Sequence, residues 1–149
     1  MQPPIARRLL VLPLIALVIA AARPDDKSPQ AGMLPMIERG ALWARTGFEH
    51  WRILGPMMPG KNPLAKLAEI LEQGLIDDPA KRDIDARQGR LIAKESGLAS
   101  TLKGFKQDST AFLLIVDQFE ELFTFADEAE RKQFDALLAT ALQDPDCPL

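Results

Sequence analysis

The chain has 149 residues, enough for one domain with a buried core. Hydrophobic residues make up 47% and charged residues 26%, which excludes wholesale disorder, and a formal net charge of -3 gives no basic footprint for nucleic acid, so no DNA or RNA partner is expected. Cys147 is the single cysteine and His50 the single histidine, which excludes an internal disulfide, a thiolate cluster and a multi-histidine zinc site.

At the start, Arg7 and Arg8 precede an apolar run over residues 9–22, which closes on Ala20, Ala21 and Ala22 before Arg23. A charged beginning, a short apolar stretch and small residues at its end are the form of a secretory signal. The run is shorter than the roughly 20 apolar residues a membrane-spanning helix needs. Residues 1–30 thus read as a signal-like or aberrant segment, distinct from a second unit over residues 31–149. A membrane becomes a partner only if that segment is a true signal or anchor.

Residues 33–42, broken at Gly40, read as a helix end and connection, and residues 43–49 as loop. Residues 51–54 (W-R-I-L) then read as a short strand, ended by the turn signals Gly55-Pro56 and Pro59-Gly60. His50 falls at this strand's edge, and Met57 and Met58 read as packing residues. Asn62 followed by Pro63 marks a helix start, with an amide side chain to cap free N–H groups and a proline at the first helical position. Leu64, Leu67, Ala68, Leu71 and Leu75 recur at helical spacing, and Gly74 and Pro79 bracket the end. A charged stretch over residues 77–90 follows. Its interleaved signs, as in Lys81, Arg82 and Asp83, are those of a solvated surface. Leu91, Ile92, Leu98 and Leu102 point to one or two shorter helices broken at Gly97.

Residues 111–117 (A-F-L-L-I-V-D) form the most informative stretch. An apolar run without polar alternation is a strand buried on both faces, as in a parallel sheet covered by helices. Ligands of such sheets bind at the carboxyl ends of the strands, where Asp117 stands. Asp127 with Glu130 three residues on reads as a capping box, and Phe134, Leu137, Leu138, Ala141 and Leu142 share one helix face. Glu128 and Lys132 form an i,i+4 pair, and Pro145 and Pro148 end the helix. The order of strand, helix, helical connection, strand and helix is an α/β unit holding part of a sheet. From the residues alone, Asp117 reads first as a strand-end turn former and Glu120 and Glu121 as solvated acids at a helix start.

Residues 113–124 (L-L-I-V-D-Q-F-E-E-L-F-T) resemble the Walker B segment of the novel STAND NTPases, signalling members of the P-loop NTPase superfamily. The likeness extends upstream to residues 31–35 (A-G-M-L-P), 51–54, 59–60 and 62–64, and covers roughly residues 31–142. It implies an α/β fold with an incomplete P-loop NTPase-like parallel sheet flanked by helices. It further implies that Asp117 acts on magnesium through a bound water beside ATP, and that Glu121, or else Glu120, orients or deprotonates the attacking water.

The phosphate loop of such enzymes is missing. Glycines let backbone N–H groups wrap the phosphates, and a lysine meets their outer charge. No G-x-x-x-x-G-K followed by Ser or Thr occurs in the chain. Ahead of Ala31, Asp25 and Asp26 stand where glycines would be, and Pro29 disfavours a helix start at Ser28. Lys27-Ser28 echoes the motif's end and also reads as a solvated dipeptide. Magnesium and ATP therefore belong to the resembled family, while this chain lacks the means to clamp a triphosphate. The expectation is a partial, Walker B-bearing domain of a cytoplasmic signalling ATPase, not competent for hydrolysis alone, with residues 1–30 a truncated or frame-shifted replacement of the family's first strand and loop. Two rivals stand beside it. One is an interaction module whose faces over residues 64–75 and 134–142 dock a protein partner or a second copy, and the other is an exported or membrane-tethered helical protein.

Overall fold

Every residue of the strand Thr110–Val116 (β2) beyond its first is buried. Successive side chains of a strand point to opposite faces, so both faces of β2 are covered. The structure, a computed structural model, describes residues 48–147 and 149. The apolar run at 9–22, Lys27-Ser28 and the helix end expected at 33–42 lie outside them.

The strand His50–Met57 (β1) pairs in parallel with β2, the two forming the sheet among the described residues, with His50 opposite Thr110 and Met57 opposite Val116. Parallel neighbours need a long crossover. Here it consists of the helix Pro63–Leu75 (α1), a 3-10 turn at Pro79–Lys81, and the helices Ile84–Ala93 (α2) and Gly97–Gly104 (α3). After β2 come a single turn of helix, Glu121–Thr124 (α4), and the long helix Glu128–Gln143 (α5). The fold is therefore α/β with a parallel sheet flanked by helices. His50 is exposed at the first position of β1.

β1 is longer than its turn signals imply. Pairing slips between Leu54 and Met57 and then resumes, so Gly55-Pro56 forms an irregularity inside the strand. Gly55 has φ +106°, and a Cβ there would lie 2.7 Å from the Ile115 carbonyl oxygen. Only glycine permits β2 to approach so closely with that backbone. The ladder closes again where the Asp117 N–H donates to the Met57 carbonyl at 2.8 Å.

Helix α1 buries Leu64, Leu67, Ala68, Leu71 and Leu75, the face its spacing marks, and packs on β1. Asn62 does occupy the cap position, but its side chain makes no capping bond. Glu130 of α5 supplies the acceptor instead, its Oε2 taking the Leu64 N–H at 3.3 Å. That also explains why the capping box of α5 is half formed: Asp127 accepts from the Glu130 N–H at 2.8 Å, while the Glu130 carboxylate is engaged with α1. Phe134, Leu137 and Ala141 enter the core with Leu138 and Leu142 at its margin. The faces over residues 64–75 and 134–142 are thus spent on the chain's own core.

The charged stretch is not all surface. Arg87 of α2 is buried and its Nε donates to Glu72 Oε1 of α1 at 2.6 Å, while its Nη1 donates to Thr101 Oγ1 of α3 at 3.2 Å. Glu72 Oε2 also accepts the Asp83 N–H at 2.8 Å, at the start of α2. One carboxylate and one guanidinium therefore join three helices, both carboxylate oxygens and two of the three guanidinium nitrogens being hydrogen-bonded. Gly97 opens α3, separating Leu91 from Leu98 and Leu102, all three of them buried, whereas Ile92 faces outward.

Candidate functional site

At the carboxyl end of the sheet the chain leaves both strands on the same side, because the strands are parallel. From β1 it enters the turn Pro59-Gly60-Lys61; from β2 it enters Asp117-Gln118-Phe119. Asp117 directly follows the last residue of β2 and is half-buried. Its Oδ1 accepts the Gln118 N–H at 2.9 Å. Gln118 takes φ +51°, a left-handed conformation uncommon outside glycine and costly enough to mark a site where the fold overrides local preference. That bond holds the Asp117 carboxylate over the strand exit.

Glu121 lies at the first position of α4 and does not stand free. Its Oε2 accepts the Gly60 N–H at 3.1 Å, and Gly60 has φ +56°. The carboxylate thereby ties the turn after β1 to the turn after β2. Glu120, one residue earlier, is exposed, and its carbonyl accepts from the Thr124 hydroxyl at 3.2 Å. Asp117, Glu120 and Glu121 are therefore gathered on one short segment at the rim of the sheet. Phe119 and Phe123 brace this segment edge to face, ring centres 6.0 Å apart, and the Arg131 guanidinium of α5 sits 5.6 Å from the Phe123 ring centre.

Gln118 and Gly60 also belong to this rim; both fall in segments that carry the family likeness, which gives neither of them a role. Pro59-Gly60 after a strand was legible as a turn; that it meets Glu121 follows from parallel pairing, which puts both exits together.

The family model described as Novel STAND NTPase 1 matches residues 29–149. The chain belongs to this family. No curated protein and no solved structure shows significant similarity to it. If a nucleotide binds here, the cation that would come with it is magnesium. Among the described residues no group of three or more His, Cys, Asp or Glu side chains is placed to hold a metal by itself. Magnesium does not need one: it keeps several waters and takes one or two carboxylates together with the phosphates. Asp117 offers one such carboxylate at the rim, its Oδ1 engaged by the Gln118 N–H. Among the described residues no helix is long and apolar enough to cross a membrane.

Proposed function

We propose that the chain is a partial STAND-type signalling ATPase domain that retains the Walker B acids and does not hydrolyse ATP by itself. The observation that supports it most is the placement of Asp117 directly at the exit of a strand buried on both faces and paired in parallel with β1. In this reading Asp117 holds the water shell of a magnesium ion, which would supply charge neutralisation at the phosphates. Glu120 and Glu121 are the candidates for orienting the attacking water, and the two now differ. Glu121 is committed to the Gly60 amide, which makes it a brace for the rim as well as a candidate base. Glu120 is exposed and has the freer carboxylate.

The charge clamp on the β- and γ-phosphates contributes much of the catalysis in phosphoryl transfer, and the sequence contains no phosphate-loop motif to provide it. Purified chain should accordingly show no ATP turnover above background. Any residual site is tested by titrating ATP with and without magnesium: magnesium-dependent binding that disappears in Asp117→Asn supports a retained Walker B site. Sustained turnover that survives Asp117→Asn would overturn the reading. We place the domain in the cytoplasm, where an ATP-using switch finds its nucleotide.

The interaction-module reading draws on a separate observation. Phe123 and Phe125 are 60% and 55% exposed beside the strand exit, so the rim itself offers apolar surface to a partner.

A further inference from the structure

Helices α2 and α3 enclose a cavity of about 470 Å³ that shares no residue with the strand exits. Its two walls have opposite characters. Arg87 and Arg90 stand at i and i+3 on one face of α2, and Lys94, the extended residue that caps the helix, joins them in the lining. Gly97, Ser100, Thr101 and Gly104 recur at i, i+3, i+4 and i+7 along α3 and present hydroxyls and almost no side-chain volume. At Gly97 the helices nearly touch, since a Cβ there would lie 2.6 Å from the Arg90 carbonyl oxygen; at Gly104 a Cβ would meet nothing within 4 Å. The space is therefore a wedge that widens towards Gly104 and Phe105.

The charge in this wedge is one-sided. Among the described residues no acidic side chain lines it, although the chain as a whole carries a net charge of -3. Arg87 is offset by Glu72 and fixed by Thr101, and its guanidinium lies 5.9 Å from the Phe105 ring centre. Arg90 and Lys94 form no ion pair among the described residues. Two cations thus remain uncompensated beside Ser96, Ser100 and Thr101. A phosphate monoester carries a charge of about -1.5 to -2 and three acceptor oxygens, whereas a carboxylate brings one charge and two oxygens. At the wide end of the wedge the Phe105 ring offers an apolar surface suited to a hydrocarbon body.

We propose that the α2–α3 cavity is a binding site for a small organic phosphate, with Arg90 and Lys94 on the phosphoryl group and Phe105 against its apolar portion. Phenyl phosphate serves as the probe. Added to the full chain, it should shift the backbone amide resonances of residues 90–105 with a dissociation constant on the order of 1 mM, the affinity of a ligand of this size. Inorganic phosphate and phenol, each carrying half of the recognition, should bind more weakly. Arg90→Gln with Lys94→Gln, both exposed positions, should weaken phenyl phosphate by about tenfold or more. Gly104→Leu, placed in open space, should block it while the chain stays folded. Equal binding of benzoate would overturn the dianion assignment. Shifts scattered over the surface, or unchanged in the charge variant, would overturn the site.

Discussion

Removing the Glu72 carboxylate tests the packing of the crossover that carries the chain from β1 to β2. The Glu72 and Arg87 side chains are 4% and 8% exposed, and they meet at 2.6 Å. In Glu72→Ala the guanidinium keeps only Thr101 and the Phe105 ring, so a positive charge remains in the core without its counter-ion. Breaking one side of a buried pair in this way costs about 3–5 kcal/mol. The Asp83 N–H loses its acceptor as well, adding about 1 kcal/mol where α2 begins. Domains of this size are stable by only about 5–15 kcal/mol, and each kcal/mol moves the melting temperature by about 2–4 °C. A fall of at least about 6 °C in Tm is therefore expected, with a matching drop in the urea midpoint followed by circular dichroism. Glu72→Met with Arg87→Met should recover most of the loss, because no charge is then stranded. Glu128→Ala is the control, since its pair with Lys132 is mostly exposed and contributes less than about 1 kcal/mol. The reasoning fails if Glu72→Ala costs no more than that control, or if the double variant is as unstable as the two single losses added.

Three further outcomes are expected. Gly55→Ala should lose about 1–3 kcal/mol to backbone strain at φ +106° and more to the clash with the Ile115 carbonyl, read by chemical denaturation; a neutral result would contradict the tight approach of the strands. Glu121→Ala should cost about 1 kcal/mol and speed hydrogen exchange at the Gly60 amide, whereas Glu120→Ala should leave both unchanged, so equal behaviour of the two would remove the distinction drawn between them. Lys103 donates to Asp144 Oδ2 at 2.7 Å, and this hydrogen bond raises its pKa above the ordinary lysine value. Because the folded value exceeds the unfolded one, the contribution is complete below the unfolded pKa and declines as pH climbs through the folded one. Stability should thus weaken at strongly alkaline pH, and Lys103→Met should abolish that portion of the alkaline limb in a pH series of melting curves.

The sequence by itself determined the elements whose periodicity leaves one solution. Residues 111–116 have no polar alternation, so they could only be a strand covered on both faces, and Asp117 had to stand at its exit. The leucines of α1 and the apolar face of α5 follow a helical period that no strand accommodates. The likeness of residues 113–124 to a Walker B segment led to the family that the match over residues 29–149 shows.

Only the tertiary structure decided how these pieces meet. Gly55-Pro56 reads locally as a stop, but β2 lies close enough for its backbone to carry the strand on to Met57. Asn62 is a good cap by type, yet Glu130 takes the amide, because α5 brings a carboxylate to the end of α1. Arg87 looks like a surface charge in the charged stretch and becomes, with Glu72, the polar centre of three helices. Glu121 reads as a free acid and turns out to bond the opposite turn. In each case the deciding partner is remote in sequence, from 14 to 66 residues away, and hydrogen bonds and charge pairing depend on distances across the fold that local patterning does not encode.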